Sequence, residues 1–299
     1  MDHFPIGQGH GVEGRYAGLN DAFSDRKESK IVMIPVPFDL TTTYQHGTEN
    51  GPDALIEASR NMELYDIETH STLYQIGIHT AQSVTASSSE EMRKNLYLRT
   101  KEFLSEGKFV VTIGGEHSIS YSPIQAHVEK FPGMSILQID AHADLQHSYE
   151  GNPWSHACVM ARVRELPNIS SIVAVGIRSM SQEEAKVIDS THTFYGHELD
   201  QSGKWVEEVV NLLSDKVYLT FDLDGFDCSL MPSTGTPEPG GLNWNQAMAL
   251  LKRVAEKKQL VGFDVVELCP SPHHLAPDYL AAKLIYKILS YHHFYHPMK

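Results

Sequence analysis

Eight short apolar runs, each followed by a stretch of helical character, constrain this chain more than any other feature of its sequence. The runs fall at 31–37, 73–78, 108–113, 134–140, 171–177, 192–195, 216–222 and 260–266. Helices are predicted at 53–66, from Ser88 onward, and at 119–131, 156–166, 182–189, 203–214, 244–257 and 278–292. Gly51-Pro52 puts a proline in a helix's first turn, and Ser88-Ser-Glu-Glu91 is a capping-box pattern. Strands alternating with helices make a mostly parallel sheet covered by helices. An open sheet and a closed eight-stranded barrel both satisfy that count, and both gather sites at the carboxyl ends of strands. Residues 1–29 are polar, contain glycine and lack periodicity, so they are expected to form an N-terminal arm or to be disordered. Residues 30–299 read as one domain, without linker, repeat or low-complexity segment. The histidines of Tyr291-His-His-Phe-Tyr-His-Pro297 are expected to close a helix rather than to hold a metal.

Three of the runs end in residues that an apolar strand has no use for. Met134–Ile139 leads into Asp140-Ala-His-Ala-Asp144, and residues spaced by two along a strand share one face. Val217–Phe221 leads into Asp222-Leu-Asp224, and Phe109–Ile113 into Gly114-Gly-Glu-His117. Asp-x-Asp alone is expected about once by chance at this composition, so the weight lies in the combination. Unpaired ionisable groups converging at strand ends are costly to bury, and a divalent cation is the natural compensation. The set is four carboxylates and two imidazoles with no thiolate, which favours harder or borderline ions such as Mn²⁺ over a structural zinc site. Six ligands and four negative charges call for two ions. A pair about 3.5–4 Å apart holds a bridging water whose pKa falls towards about 7, which is machinery for hydrolysis.

These motifs, in this order, resemble those of the ureohydrolases, the family of arginases and agmatinases. Gly114-Gly-Glu-His117 is similar to the first family motif and Asp140-Ala-His-Ala-Asp144 to the second. Asp222-Leu-Asp-Gly-Phe-Asp227, followed by Thr234-Gly-Thr-Pro-Glu-Pro-Gly-Gly241, is similar to the third. The resemblance runs from about Ile31 to the C-terminus. It implies an open three-layer α/β/α sandwich around a central, mostly parallel sheet of about eight strands. It also implies two Mn²⁺ per chain on His117, Asp140, His142, Asp144, Asp222 and Asp224, and a homo-oligomer, trimer or hexamer. His156, in Trp154-Ser-His-Ala-Cys158, falls where the family has a proton-shuttling histidine, a role that suits imidazole. Glu267, in Phe263-Asp-Val-Val-Glu-Leu-Cys-Pro270, matches the glutamate that holds the guanidinium, to which a carboxylate accepts two parallel N–H bonds. By the same resemblance Asp144 and the metals stabilise the tetrahedral intermediate.

The departures point to the substrate. Cys228 replaces the proline usual after the third motif, with little consequence expected. Where arginases carry a short acidic segment for the α-amino group of arginine, Val175-Gly-Ile-Arg-Ser-Met-Ser181 has Ser179 and Ser181. The loop Gln146–Trp154 lacks the small polar pattern with which arginases hold the α-carboxylate, and resembles members acting on longer agmatine derivatives. The chain therefore looks most like an agmatinase, cleaving agmatine to putrescine and urea. Tyr149, Glu150 and Trp154 are candidates to meet the distal ammonium. Aminopropylagmatine, guanidinobutyrate and arginine are the alternatives, and a metal-binding regulatory relative without turnover is the alternative of another class.

A net charge of −14 argues against nucleic acid and suits a small cationic substrate. Cys158, Cys228 and Cys269 form no CxxC pair; an odd count without a secretory signal is expected of reduced thiols in a cytoplasmic protein. No apolar run reaches the roughly 18 residues that a membrane span needs.

Overall fold

The eight apolar runs become one sheet because nearly every residue in them is buried on both faces, and only a sheet with helices on both sides offers that environment. In the computed structural model, which describes residues 12–200 and 202–298, the strands are β1 (Ile31–Val36), β2 (Ile78–Thr80), β3 (Phe109–Gly114), β4 (Met134–Ile139), β5 (Ile169–Ile177), β6 (Thr193–Tyr195), β7 (Lys216–Asp222) and β8 (Gln259–Val266). All pairings are parallel, in the order β2-β1-β3-β8-β7-β4-β5-β6. The edge strands β2 and β6 do not pair with each other, so the sheet is open and the barrel is excluded.

The helices are α1 (Asp21–Ser24), α2 (Gly51–Ser59), α3 (Ser89–Ser105), α4 (Tyr121–Lys130), α5 (Val159–Val163), α6 (Lys204–Leu212), α7 (Trp244–Lys257) and α8 (Ala276–Tyr295). Alternation along the strands sorts them into two layers. Ile31, Met33, Val111, Ile113, Leu137 and Ile139 pack towards α2, α6, α7 and α8. Val32, Ile34, Val36 and Val110 pack against Met92, Leu96, Phe103 and Leu104 of α3, while α4 and α5 cover Ile136 and Tyr218. The result is a three-layer α/β/α sandwich. Among the described residues no helix is long and apolar enough to cross a membrane.

Several local expectations change. The helix predicted at 53–66 ends at Ser59, which frees Asp66 for Lys287 of α8. The run 73–78 divides at Gly77 into a 3₁₀ turn, Leu73–Ile76, and the short β2. At 182–189 only one 3₁₀ turn forms, Glu184–Lys186. Of the segment 1–29 expected to be an arm or disordered, residues 1–11 lie outside the described residues, and within 12–29 the stretch 16–19 is buried against the core while most of the rest is exposed or half-buried. Tyr16, Ala17 and Leu19 are fully buried; the Tyr16 hydroxyl donates to Ala282 O at 2.8 Å and Ala17 N–H to Ser59 Oγ at 2.7 Å. The buried stretch Tyr16–Leu19, with Ser24 and Ser29, anchors a segment too short to show periodicity. The C-terminal histidines end α8, as expected.

Candidate active site and metal centre

The strand order brings β3, β8, β7 and β4 side by side, although the chain reaches them at positions 109, 259, 216 and 134. The path from β3 skips over to β4, and β7 and β8 later fill the gap, which makes this the place where strand order reverses. Ligand crevices of open α/β sheets form at such points, beyond the strands' carboxyl ends. His117, Glu267, Asp222 with Asp224, and Asp140 to Asp144 follow those four strands in turn.

The six proposed metal ligands converge. His117 Nδ1 lies 3.2 Å from Asp140 Oδ2, 3.0 Å from Asp144 Oδ2 and 3.3 Å from Asp222 Oδ2. His142 Nδ1 lies 2.9 Å from Asp224 Oδ2. Ligand atoms of His117, Asp140 and Asp144 cluster within 4.8 Å of one another, and those of Asp140, His142 and Asp224 do so as well. Asp140 belongs to both sets, so two groups that could each hold a cation meet at this carboxylate. Backbone donors aim the acids: His142 N–H to Asp140 Oδ1 at 2.6 Å, Ala141 N–H to Asp224 Oδ1 at 2.9 Å, and Asp224 N–H to Asp222 Oδ1 at 2.9 Å. Behind the nest, Thr220 Oγ1 sits 2.9 Å from His117 Nε2 and donates to the buried Asp264 at 2.7 Å, an outer layer that orients the ligand ring.

The donor set fits divalent cations by its own chemistry. His117 Nδ1 is buried without a hydrogen-bond partner while facing three carboxylate oxygens. Burial, with the charges of Asp144 and Asp224, pushes Asp140 up to about 7. Burial and Asp224 likewise hold Asp222 well above the usual carboxylate range. Burial disfavours the charged form of His142, yet Asp224 and the other carboxylates outweigh it and push the ring up to about 11. Such crowding of negative charge is what bound cations relieve.

Glu267 faces the same cavity. Its Oε1 accepts the His117 N–H at 2.7 Å, and its own N–H donates to Gly115 O at 2.8 Å. Burial and the nearby Glu116 hold its carboxyl well above the ordinary range, and no cation pairs with it among the described residues. The first and third motifs need their glycines here. A Cβ on Gly115 would lie 2.0 Å from Phe38 O, and one on Gly235 would lie 2.9 Å from Glu267 Oε2. Asp144 and Glu267 both adopt left-handed backbone, φ 55° and 68°. Each such residue costs about 1–3 kcal/mol, and such strain clusters at functional sites.

The cavity, about 210 Å³, is lined by His117, His142, Asp144, Asp222 and Asp224, with Asp140 buried behind them, and by Glu267, His156, Tyr149, Ser179, Ser181 and Glu184 among others. A roomier hollow of about 310 Å³ beside β5 holds no convergence of carboxylates, so volume is not what marks the site. Tyr149 stands edge-on to His156 with ring centroids 5.7 Å apart. Glu150 and Trp154, expected beside the substrate tail, do not line the cavity. Glu150 is exposed. Trp154 instead lies under the Arg93 guanidinium at 3.5 Å and meets Tyr121 edge-on, an attraction between residues too far apart in sequence to anticipate. Burial and the charge of Asp144 push the Cys158 thiol up to about 11, which disfavours the thiolate.

Three residues matter that motif reading passes over. Glu184 is buried on the cavity wall, its Oε1 accepting Leu145 N–H at 2.8 Å and its Oε2 accepting Ser181 N–H at 2.7 Å. A helix predicted at 182–189 hid it; the Ser181-x-x-Glu184 spacing was the available signal. Arg178 donates to the carbonyls of Gly176, Asp224, Phe226, Glu238 and Pro239, tying the third motif to β5. Glu116 is fully buried and is treated below.

Comparison with known proteins agrees with this geometry. Residues 29–290 match the model of the arginase family. Over 283 residues the chain is 35% identical to the N(1)-aminopropylagmatine ureohydrolase of Synechocystis sp., covering 91% of this chain and 92% of that protein. It is 31% identical to the agmatinase of Pyrococcus horikoshii, covering 89% of this chain and 93% of that protein. The crystal structure of the agmatine ureohydrolase of Thermoplasma volcanium superposes with a TM-score of 0.83 at 31% identity, over 92% of this chain and 94% of that one. A strand-end carboxylate nest in this sandwich defines a metal-dependent hydrolase, and the chain belongs to the arginase family, whose members cleave amidino C–N bonds.

Proposed function

We propose that this protein is an agmatinase-type ureohydrolase, releasing urea and putrescine from agmatine with two Mn²⁺ held by His117, Asp140, His142, Asp144, Asp222 and Asp224. The observation that carries the reading is the buried carboxylate of Glu267, without a cationic partner among the described residues, on the wall of the cavity that holds the ligand nest. A guanidinium supplies that cation and offers two parallel N–H donors. When bound, the two ions supply Lewis acidity that lowers the pKa of water towards neutrality. Glu267 holds the guanidinium so that its carbon faces the nest. Asp144, on the same wall, accepts an N–H bond as that carbon becomes tetrahedral. His156 donates a proton to the amine as the C–N bond breaks, so that it leaves neutral.

The tail is the other half of the reading. Among the described residues no lysine or arginine lines the cavity, so the α-carboxylate of arginine and the carboxylate of guanidinobutyrate find no counter-charge there. Glu184 adds negative charge to the wall beside Ser179 and Ser181, which suits a distal ammonium. A second reading, aminopropylagmatine, shares this chemistry and is favoured by the name of the relative at 35% identity.

Urea release with Mn²⁺ across agmatine, aminopropylagmatine, guanidinobutyrate and arginine tests both. The expected outcome is a kcat/KM for agmatine or its aminopropyl derivative at least about 100-fold above arginine, since a site that leaves charged groups unpaired discriminates strongly. Turnover of arginine at an equal rate overturns the substrate assignment. Metal binding without urea from any of the four overturns the enzyme reading in favour of a regulatory relative.

A further inference from the structure

Glu116 sits in the first motif beside a metal ligand, yet all its contacts lead elsewhere. Its Oε2 accepts the backbone N–H groups of Thr41 at 2.7 Å and Thr42 at 3.0 Å, and the Thr42 hydroxyl at 3.2 Å. Its Oε1 accepts the hydroxyls of Thr41 at 2.7 Å and Ser118 at 2.6 Å. All five of these groups aim a hydrogen at the fully buried Glu116 carboxyl, and the Thr41 hydroxyl directs its one proton there. What remains on Thr41 Oγ1 is acceptor capacity, and it is turned to His156. The His156 backbone N–H donates to it at 3.0 Å, and the ring Nδ1 lies 3.3 Å away. Ser155 Oγ lies 3.2 Å from the same Nδ1. No described residue hydrogen-bonds to the other ring nitrogen, Nε2.

An oxygen whose proton is already donated meets Nδ1 favourably only when Nδ1 carries hydrogen. We propose that Thr41, locked by Glu116, is a positioning residue that fixes the ring orientation and tautomer of His156, leaving Nε2 to exchange the proton in the cavity. The loop after β1 thereby sets the chemistry of a histidine 115 positions further along the chain. The proposal rests on His156 being the proton donor described above.

The test uses the Mn²⁺-loaded enzyme and agmatine. Thr41→Val, which keeps shape and removes the hydroxyl, is expected to lower kcat about 10- to 100-fold, within the range of general acid–base catalysis. Metal content should be unchanged and KM should stay within about threefold. Thr41→Ser should restore kcat to within about threefold of the parent. In a His156→Asn background, Thr41→Val should cost no further activity, the signature of two residues acting as one unit. If His156→Asn alone leaves kcat unaltered, the shuttle reading fails. If His156→Asn lowers kcat but Thr41→Val still lowers it by its full factor in that background, Thr41 acts elsewhere and the proposal is overturned while the shuttle stands. Nitrogen NMR of ¹⁵N-histidine enzyme loaded with diamagnetic Mg²⁺ should show neutral His156 protonated on Nδ1; protonation on Nε2 overturns the proposal.

Discussion

Two regions of this molecule bury acidic side chains and treat the charge in opposite ways. Between the segment after α2 and helix α8, Asp66 meets Lys287 Nζ at 2.8 Å and accepts N–H bonds from Glu68 and Thr69 and the Thr69 hydroxyl. The same Lys287 Nζ lies 2.8 Å from Glu68, which also takes the Tyr291 hydroxyl at 2.9 Å. Burial raises the Asp66 carboxyl, but Lys287 and these donors outweigh it and hold it below the usual range. At the ends of β3, β4 and β7, four carboxylates share two imidazoles, and Asp140 and Asp222 are pushed upward. In the first region the counter-charge comes from a lysine of the same chain; in the second no lysine or arginine among the described residues supplies it, which leaves room for a bound cation.

The largest expected effect breaks the second region. Asp222→Asn keeps the shape of a ligand and removes its charge, so urea release should fall by at least about 1000-fold. Mn²⁺ at about 100 times its dissociation constant should stabilise the parent by about 2.7 kcal/mol for each ion bound, and this increment should shrink or vanish in the variant. Without metal the variant should melt no lower than the parent, because a like charge has been removed. Thermal melts with and without chelator check this, and a metal-free variant melting several degrees lower would place Asp222 with the structural acids.

The next breaks the first region. Lys287→Met strands Asp66 in the interior and should cost about 3–5 kcal/mol at neutral pH, with kcat unchanged. Because the Asp66 carboxyl is depressed in the folded state, its contribution is present above the unfolded value of about 3.9 and is lost as pH falls through the folded one. Denaturant unfolding from pH 7 to pH 3 should show parent and variant converging on acidification. Parallel curves would mean the pair carries no such stability.

The smallest effect sharpens the boundary, since Glu184 accepts two backbone N–H groups but pairs with no cation among the described residues. If it belongs with the ligand-serving acids, Glu184→Gln should raise KM for agmatine about tenfold, equivalent to about 1.4 kcal/mol, with kcat little altered. A lower melting point at constant KM would move it to the structural side.

The ligand nest was legible because its information is local. Three motifs each sit where a strand ends, and the two-residue period of a strand puts Asp140, His142 and Asp144 on one side as the chain leaves the sheet. The rest of the cavity wall was not legible for the opposite reason. Glu184 reaches the wall only because a predicted helix shrinks to one turn at Glu184–Lys186. Trp154 misses the wall because Arg93 and Tyr121, remote in sequence, take its ring.

By itself the sequence determined the alternation of strand and helix, the ligand types at three strand ends and so the class of chemistry, since these depend on side-chain periodicity and donor identity within a few residues. Only the tertiary structure decided that β3, β8, β7 and β4 are neighbours, that Asp140 is shared between two ligand sets, that residues 16–19 join the core, and that Glu116 reaches His156 through Thr41. Those outcomes depend on which surfaces meet when distant segments are buried together, and the energy of such meetings is a property of the packed pair rather than of either segment.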